Sequence, residues 1–334
     1  MHKFKKYILL ILIAGCASES PQSNFKSLLD SEWSKIISDN PVYASSMGDL
    51  SLNTEWSDTS VQKIYLDHQH EVNVLNQLEK LNIDAFTDEN KVNYSLFKKQ
   101  YENSIEAHAY KTFLIPFSHR GGIQLQHETT SVVPLRTKQH YLDWIERISK
   151  IDVLVDAAIA KAKIGIDENI VPPRFLMEKV YKQIKLQTFV EPKDSPFYKA
   201  FLEVDRSINS KEVEEIQNLA LNVIKIKVIP AYLKLHRFFK DEYLPACRNS
   251  IGIKEIKDGK KYYEFLAKKF TTTELTPKEI HEIGLAEVAR IRNEMDAIIK
   301  EVNWNDSFKS FLDDLRTNPK FYYETSDELF ESYL

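Results

Sequence analysis

Two His-Glu pairs are the residues whose spacing comes nearest to a catalytic motif. In peptidases with an H-E-x-x-H helix, the histidines at i and i+4 bind zinc and the glutamate acts as the general base. Ser131 and Leu285 occupy the place of the second histidine after the pairs at 127–128 and 281–282. The sequence therefore assigns no catalytic residue and no metal ligand, and it predicts no cofactor in this chain.

A second set of residues is suited to binding a peptide. Arg120 precedes Gly121 and Gly122, and this tripeptide could offer a guanidinium and backbone N–H groups to a carboxylate. Tyr263 could add an aromatic surface. We predict a substrate groove formed by Arg120, Gly121, Gly122 and Tyr263. We interpret Cys247 as a small buried apolar residue and not as a nucleophile.

The first residues have the pattern of an export signal. Three lysines precede the apolar run at 7–13, which is far shorter than the roughly 20 residues that span a bilayer. Ile13-Ala14-Gly15-Cys16 follows and resembles the bacterial lipobox. The pattern predicts a signal peptide at 1–15, a lipid on Cys16 and a flexible tether at 16–24. Ala17, which is not Asp, favours the outer membrane by resemblance to sorting in Gram-negative bacteria.

Composition narrows the class of protein. The 45 basic and 49 acidic residues give a net charge of −4, which argues against a nucleic-acid partner because such proteins need a basic face. Hydrophobic residues make up 43% of the chain, enough for a large core. Only 8 residues are glycine, and the scarcity favours helices over the many turns of an all-β fold.

Apolar spacing and capping residues predict a mainly α, multi-helix domain over 25–334. Thr87 is a predicted N-cap, and Thr276 with Glu279 is a predicted capping box. One segment near 112–134 holds a Gly-Gly pair and two prolines, and it predicts an irregular or extended stretch. The predicted helices cover 25–38, 60–81, 87–109, 137–167, a helix from Pro172-Pro173, 210–243 with a kink at Pro230, and a long helix from 277.

The chain stops soon after a good helix start at Ser326. Leu329, Phe330, Tyr333 and Leu334 would share one face, and a helix of about eight residues is marginal without a partner. We expect a domain that is truncated at its C-terminus. A short docked terminal helix is the alternative.

Several blocks resemble the bacterial family called domain of unknown function 885. They lie at 40–58, 121–148, 171–180, 195–198, 230–253 and 258–291. This family is similar to helical gluzincin metallopeptidases of the carboxypeptidase Taq-like and angiotensin-converting-enzyme-like groups. Its members run to nearly twice this length and carry their zinc motif in the second half. The resemblance implies an N-terminal half, with zinc bound only when the missing half is present.

Three hypotheses follow for function. The chain is the inactive half of a zinc-dependent peptidase-like lipoprotein, which a separate C-terminal half could complete. Alternatively it is a non-catalytic lipoprotein of the cell envelope that binds a peptide or another partner. In the third hypothesis it is a fragment whose exposed apolar faces prevent stable folding.

Overall fold

The structure is a computed structural model that describes residues 20–188 and 191–334. In these residues the chain forms helices and turns without a β-sheet, which confirms the predicted mainly α class. Contacts divide the chain into two compact units, Met1–Tyr262 and Tyr263–Leu334, a division that the sequence did not indicate. The predictions for the signal peptide, Cys16 and Ala17 lie outside the described residues.

The first unit is built from helices connected by short 3₁₀ and π segments. Its α-helices are α1 (Pro21–Asp39), α2 (Pro41–Ser46), α3 (Val61–Leu78), α4 (Asp88–His108), α5 (Lys138–Ser149), α6 (Ile151–Asp167), α7 (Arg174–Lys185), α8 (Ser210–Val223), α9 (Ile229–Phe238) and α10 (Leu244–Ala246). Its 3₁₀ segments are Ile83–Ala85, Thr112–Leu114, Ile123–Ser131, Pro192–Asp194, Pro196–Phe201 and Ile253–Glu255.

Helix α11 (Gly259–Thr271) crosses the boundary between the units. The second unit continues with α12 (Pro277–Glu301), α13 (Phe308–Thr317), a 3₁₀ turn at Pro319–Phe321 and α14 (Ser326–Glu331). Helix α14 is shorter than the eight residues expected from the sequence, and its N-cap is Thr325. Apolar side chains along α12 are exposed, including Val288, Met295 and Ile298.

The predicted caps are confirmed. The Thr87 hydroxyl accepts a hydrogen bond from the Asn90 N–H at 3.2 Å. Thr276 and Glu279 form the reciprocal capping box. Helix α1 begins at Pro21 and not at Phe25, because Ser20 caps it and proline fits a first turn. Part of the predicted tether at 16–24 is therefore helical.

Two separate hydrophobic cores stabilise the first unit. The larger core lies among α5 to α9, and Trp144, Tyr232 and Phe239 are among its fully buried side chains. The smaller core joins α1, α3 and α4 around Phe25 and Leu78. Each core has its own buried polar groups.

The predicted helix at 210–243 is not a continuous α-helix. Two π segments interrupt it, at Ile224–Val228 and at Phe239–Tyr243. A proline follows each of them, Pro230 and Pro245. A proline lacks an N–H and clashes with the carbonyl four residues earlier, so the wider π turn accommodates it. At Pro230, where the sequence predicts a kink, a π turn precedes the proline.

The segment near 112–134 is irregular as predicted, but it is not extended. It contains a turn in which the Gly121 N–H donates to the Ser118 carbonyl at 3.3 Å. A 3₁₀ helix, Ile123–Ser131, follows this turn. Runs of 3₁₀ helix rarely exceed about four residues, so contacts with the rest of the unit must hold this one.

Candidate functional site

A glycine turn opens the irregular segment. Gly122 has φ of 130°, a conformation that favours glycine, and a Cβ there would lie 2.9 Å from Gln124 Oε1. The Arg120 N–H donates to the Ser118 hydroxyl at 3.2 Å. The turn therefore already uses the N–H groups of Arg120 and Gly121, which the sequence had suggested for a ligand.

Buried amide side chains hold the segment in place. Gln124 is fully buried, and its Nε2 donates to the Ser118 carbonyl at 2.7 Å. Gln187 follows α7, and its Nε2 donates to the Gln124 carbonyl at 3.0 Å. The Tyr232 hydroxyl donates to the Ile123 carbonyl at 2.6 Å, which ties the segment to α9. These bonds give the 3₁₀ helix a fixed position.

Helix α6 packs against the start of the same segment. A Cβ on Gly165 would lie 2.7 Å from the Leu114 carbonyl oxygen and 3.0 Å from that of Ile170. Real Cβ atoms do not approach backbone oxygens so closely, so the packing requires glycine here. This close approach positions α6 beside the irregular segment.

A cleft of about 390 Å³ lies between α6, the irregular segment and the loop after α2. Its volume falls in the range of small-molecule sites. Gly122 and Gln126 line it on one side. Its walls are mainly apolar side chains: Val42, Trp56, Pro116, Ile123, Leu154 and Ala158.

Lys161 is the charged residue that lines this cleft. It is 9% exposed, and no hydrogen bond or ion pair reaches its ammonium within the described part of the chain. Burial lowers the pKa of Lys161, and the exposed Asp58 opposes this shift only through space. Buried lysines are uncommon unless paired, so this one is unusual.

A second buried cation lies behind the aromatic wall of the cleft. The guanidinium carbon of Arg147 is 5.6 Å from the centre of the Trp56 ring, and Arg147 is fully buried. Its Nη2 donates to the Ser45 hydroxyl at 2.9 Å, whereas its Nε and Nη1 have no partner among the described residues. Burial lowers the pKa of Arg147 to about 10. The Trp56 Nε1 donates to the Arg147 carbonyl at 2.7 Å, which fixes the wall.

The four residues of the predicted groove fall in two different places. Gly122 lines the cleft, and Arg120 and Gly121 belong to the same turn. Tyr263 begins the second unit and is 53% exposed there. A groove that unites all four residues stays a prediction.

The remaining sequence candidates have ordinary surroundings. Cys247 is buried, as the sequence predicts, and burial raises the pKa of its thiol to about 12. His127 Nδ1 lies 3.0 Å from Gln187 Nε2. His281 is exposed on α12. Residues 20–188 and 191–334 bring together no group of three or more His, Cys, Asp or Glu side chains that could hold a metal.

Sequence reasoning missed Lys161, although a signal was present. Leu154, Ala158 and Lys161 are spaced to share one face of α6, and that face is otherwise apolar. A lysine on the apolar stripe of a core helix indicates either a long side chain that reaches solvent or a buried amine. Only the folded structure distinguishes these cases.

A solved structure of another protein has a fold similar to that of this chain. The chain superposes on the crystal structure of a protein described as a candidate lipoprotein from Colwellia psychrerythraea, with a TM-score of 0.78 and 20% sequence identity. The match covers 95% of this chain and 57% of that chain, so this chain spans less than two thirds of that protein's length. At this identity the likeness shows the fold alone. No curated protein matches the chain.

No helix among the described residues combines the length and the apolar character needed to cross a membrane. A family model described as "Bacterial protein of unknown function (DUF885)" matches residues 41–334. The match includes α2 to α14 and every residue that lines the cleft. The chain therefore belongs to the DUF885 family of bacterial proteins.

Proposed function

We propose that this chain is the N-terminal, substrate-holding part of a longer helical peptidase-like protein of the cell envelope. The supporting observation is that nearly the whole chain superposes on 57% of a longer protein. In this proposal, sequence beyond Leu334 supplies the zinc ligands and the glutamate base. The present chain contributes one wall of the substrate groove.

Exposed apolar side chains on the second unit support the same proposal. Val288, Ile298 and Val302 on α12 are each more than half exposed, as are Phe330 and Tyr333 near the end. Covering such side chains would remove apolar surface from water. Burial stabilises by about 25 cal/mol for each Å² of apolar surface. We propose that the further part of the longer protein covers them.

Metal content and hydrolysis test this proposal. The chain ending at Leu334 should bind no stoichiometric zinc and should cleave no peptide in a mixed library. A form extended by the downstream reading frame should gain both properties. One tightly bound zinc per chain in the short form would refute the proposal. Unrelated downstream sequence would favour the alternative, a non-catalytic binding lipoprotein.

We further propose that lipid on Cys16 anchors the chain, with the outer membrane as the favoured site. The lipobox-like Ile13-Ala14-Gly15-Cys16 and the description of the Colwellia protein support this. Two or three acyl chains would hold it almost permanently, at about 0.8 kcal/mol per buried CH₂. Labelling with a fatty-acid analogue should mark the wild type and should fail for Cys16→Ser. A Cys247→Ser variant, which should still be labelled, is the matched control.

A further inference from the structure

We propose that the cleft beside Lys161 binds a carboxylate that carries an apolar group, with the Lys161 ammonium as the countercharge. The residues of the cleft alone support this binding, without zinc or hydrolysis. The proposal therefore stands whether or not the chain is part of a peptidase.

The charge of the cleft favours an anion. Among its lining residues Lys161 is basic and none is acidic. Arg147 adds a second buried positive charge behind Trp56, and no carboxylate makes an ion pair with either group in the described residues. Burying a charge without a partner is costly. An anion in the cleft would supply the partner that the protein itself does not provide.

The cleft also has hydrogen-bond donors for an anion. Ser57 and Thr59 line the same cleft, and their hydroxyl groups make no hydrogen bond within the described part of the chain. A carboxylate has two oxygens and about four acceptor positions. One ammonium and two hydroxyl groups can satisfy most of these positions.

The apolar wall of the cleft favours a ligand with an apolar group. Trp56, Ile123 and Leu154 leave much of the cleft without hydrogen-bonding groups. Inorganic phosphate would need donors on every side, and these walls do not offer them. A ligand with a carboxylate at one end and a branched or aromatic apolar group at the other matches both parts of the cleft. Such a ligand could be a free organic acid or the C-terminal residue of a peptide.

Calorimetric binding to the wild-type chain tests the proposal in the presence of EDTA, which removes any contribution from zinc. The probes are isocaproate, the tripeptide acetyl-Ala-Ala-Leu with a free carboxylate, the same tripeptide as its amide, and inorganic phosphate. We expect saturable binding of isocaproate, of the tripeptide acid or of both. The tripeptide amide and phosphate should bind at least about tenfold more weakly, since a charge-assisted contact is lost. Binding of only one acid identifies the source of the carboxylate.

Lys161→Met should weaken acid binding by about tenfold or more. Lys163→Met is the matched control, because Lys163 lies on the same helix but is exposed, and its binding should equal that of the wild type. Thermal unfolding will show that both variants are folded. No saturable binding of either acid at millimolar concentration, equal binding of acid and amide, or unchanged binding by Lys161→Met would each overturn the proposal.

Discussion

The two cores of the first unit differ in whether a buried charged side chain has a hydrogen-bond partner. In the smaller core Glu32 is 5% exposed, and both its oxygens lie 2.9 Å from His70 Nε2. The Tyr101 hydroxyl also donates to Glu32 Oε2 at 2.6 Å. At the edge of the larger core, Lys161 is almost as buried and has no such partner among the residues that the structure describes.

This difference separates a structural charge from one that is available to a ligand. Glu32, His70 and Tyr101 lie on α1, α3 and α4, so their hydrogen bonds tie three helices together. Burial, followed by the hydrogen bond to Glu32, raises the pKa of Tyr101, so the tyrosine remains a donor at neutral pH. Lys161 makes no hydrogen bond or ion pair among the described residues, so its side chain does not join helices in this way. Its charge faces a cleft with apolar walls, which is the arrangement expected of a binding site.

The largest effect on stability should come from breaking the hydrogen-bonded cluster of Glu32, His70 and Tyr101. Glu32→Ala leaves His70 and the buried Tyr101 hydroxyl without their acceptor and should lower the free energy of unfolding by about 3 kcal/mol. Urea denaturation measures the change. Asp30→Ala on the same helix removes an exposed carboxylate and should stay within about 0.5 kcal/mol of the wild type. Equal effects of the two variants would show that Glu32 is not structural.

The next effect concerns the packing that positions Lys161. Gly165→Ala would force a Cβ against the Leu114 and Ile170 carbonyl oxygens and should destabilise the chain by about 2 kcal/mol. It should also weaken acid binding, since α6 must move away from the irregular segment.

Gly284→Ala is the matched control for this prediction. A Cβ at Gly284 on α12 meets no atom within 4 Å, so alanine should stabilise the chain by up to about 1 kcal/mol. Thermal and urea unfolding of both variants measure the pair. Destabilisation by both substitutions would mean that contact with Leu114 is not the cause.

Removing the charge of Lys161 should raise the free energy of unfolding, whereas removing Glu32 should lower it. Lys161→Met replaces a buried ammonium with an apolar side chain of similar length and should raise the free energy of unfolding by about 1 kcal/mol. Lys163→Met should change it by less than about 0.5 kcal/mol. A clear loss of stability in the first variant, measured in urea, would show that Lys161 has a structural partner.

The smallest effect is on pH dependence. The pKa values of His108, His127 and His236 are lowered, in each case chiefly by burial. The unfolded chain therefore takes up protons at a higher pH than the folded chain does. Stability should fall as the pH falls through about 6.5 and below.

His108 offers a way to test this pH dependence within the helices of the smaller core. Its ring stacks on His68 at 3.8 Å, and His68 is the next cause of its lowered pKa after burial. His108→Phe keeps an aromatic ring in the stack but cannot titrate, so the loss of melting temperature between pH 7 and pH 5 should become smaller. His281→Phe, at an exposed position, is the control. An unchanged slope in His108→Phe would contradict the assignment.

Local signals in the sequence predicted most of the helices. Thr87 and the Thr276–Glu279 pair act on backbone groups within about one helical turn, so neighbours in sequence suffice to predict them. The interruptions of the helix at 210–243 were not predicted in this form. Pro230 indicates a break, but whether the chain kinks or forms a π turn depends on packing with other helices.

The candidate site was less accessible to prediction. The segment at 112–134 was recognised as irregular, and Gly122 does line the cleft. The sequence predicts that the N–H groups of Arg120 and Gly121 can bind a ligand, because it does not show that Ser118 accepts hydrogen bonds from both. Lys161 lies within an otherwise apolar helical pattern. That it has no partner among the described residues is apparent only once the neighbouring elements are in place.

The sequence by itself determined the mainly helical class, the caps that start the helices, and the absence of an H-E-x-x-H pair. All of these depend on residues a few positions apart. Only the tertiary structure decided that Glu32 meets a histidine and a tyrosine while Lys161 meets a cleft. Whether a buried charge has a partner depends on residues far away in the chain, because burial and pairing are properties of packed elements.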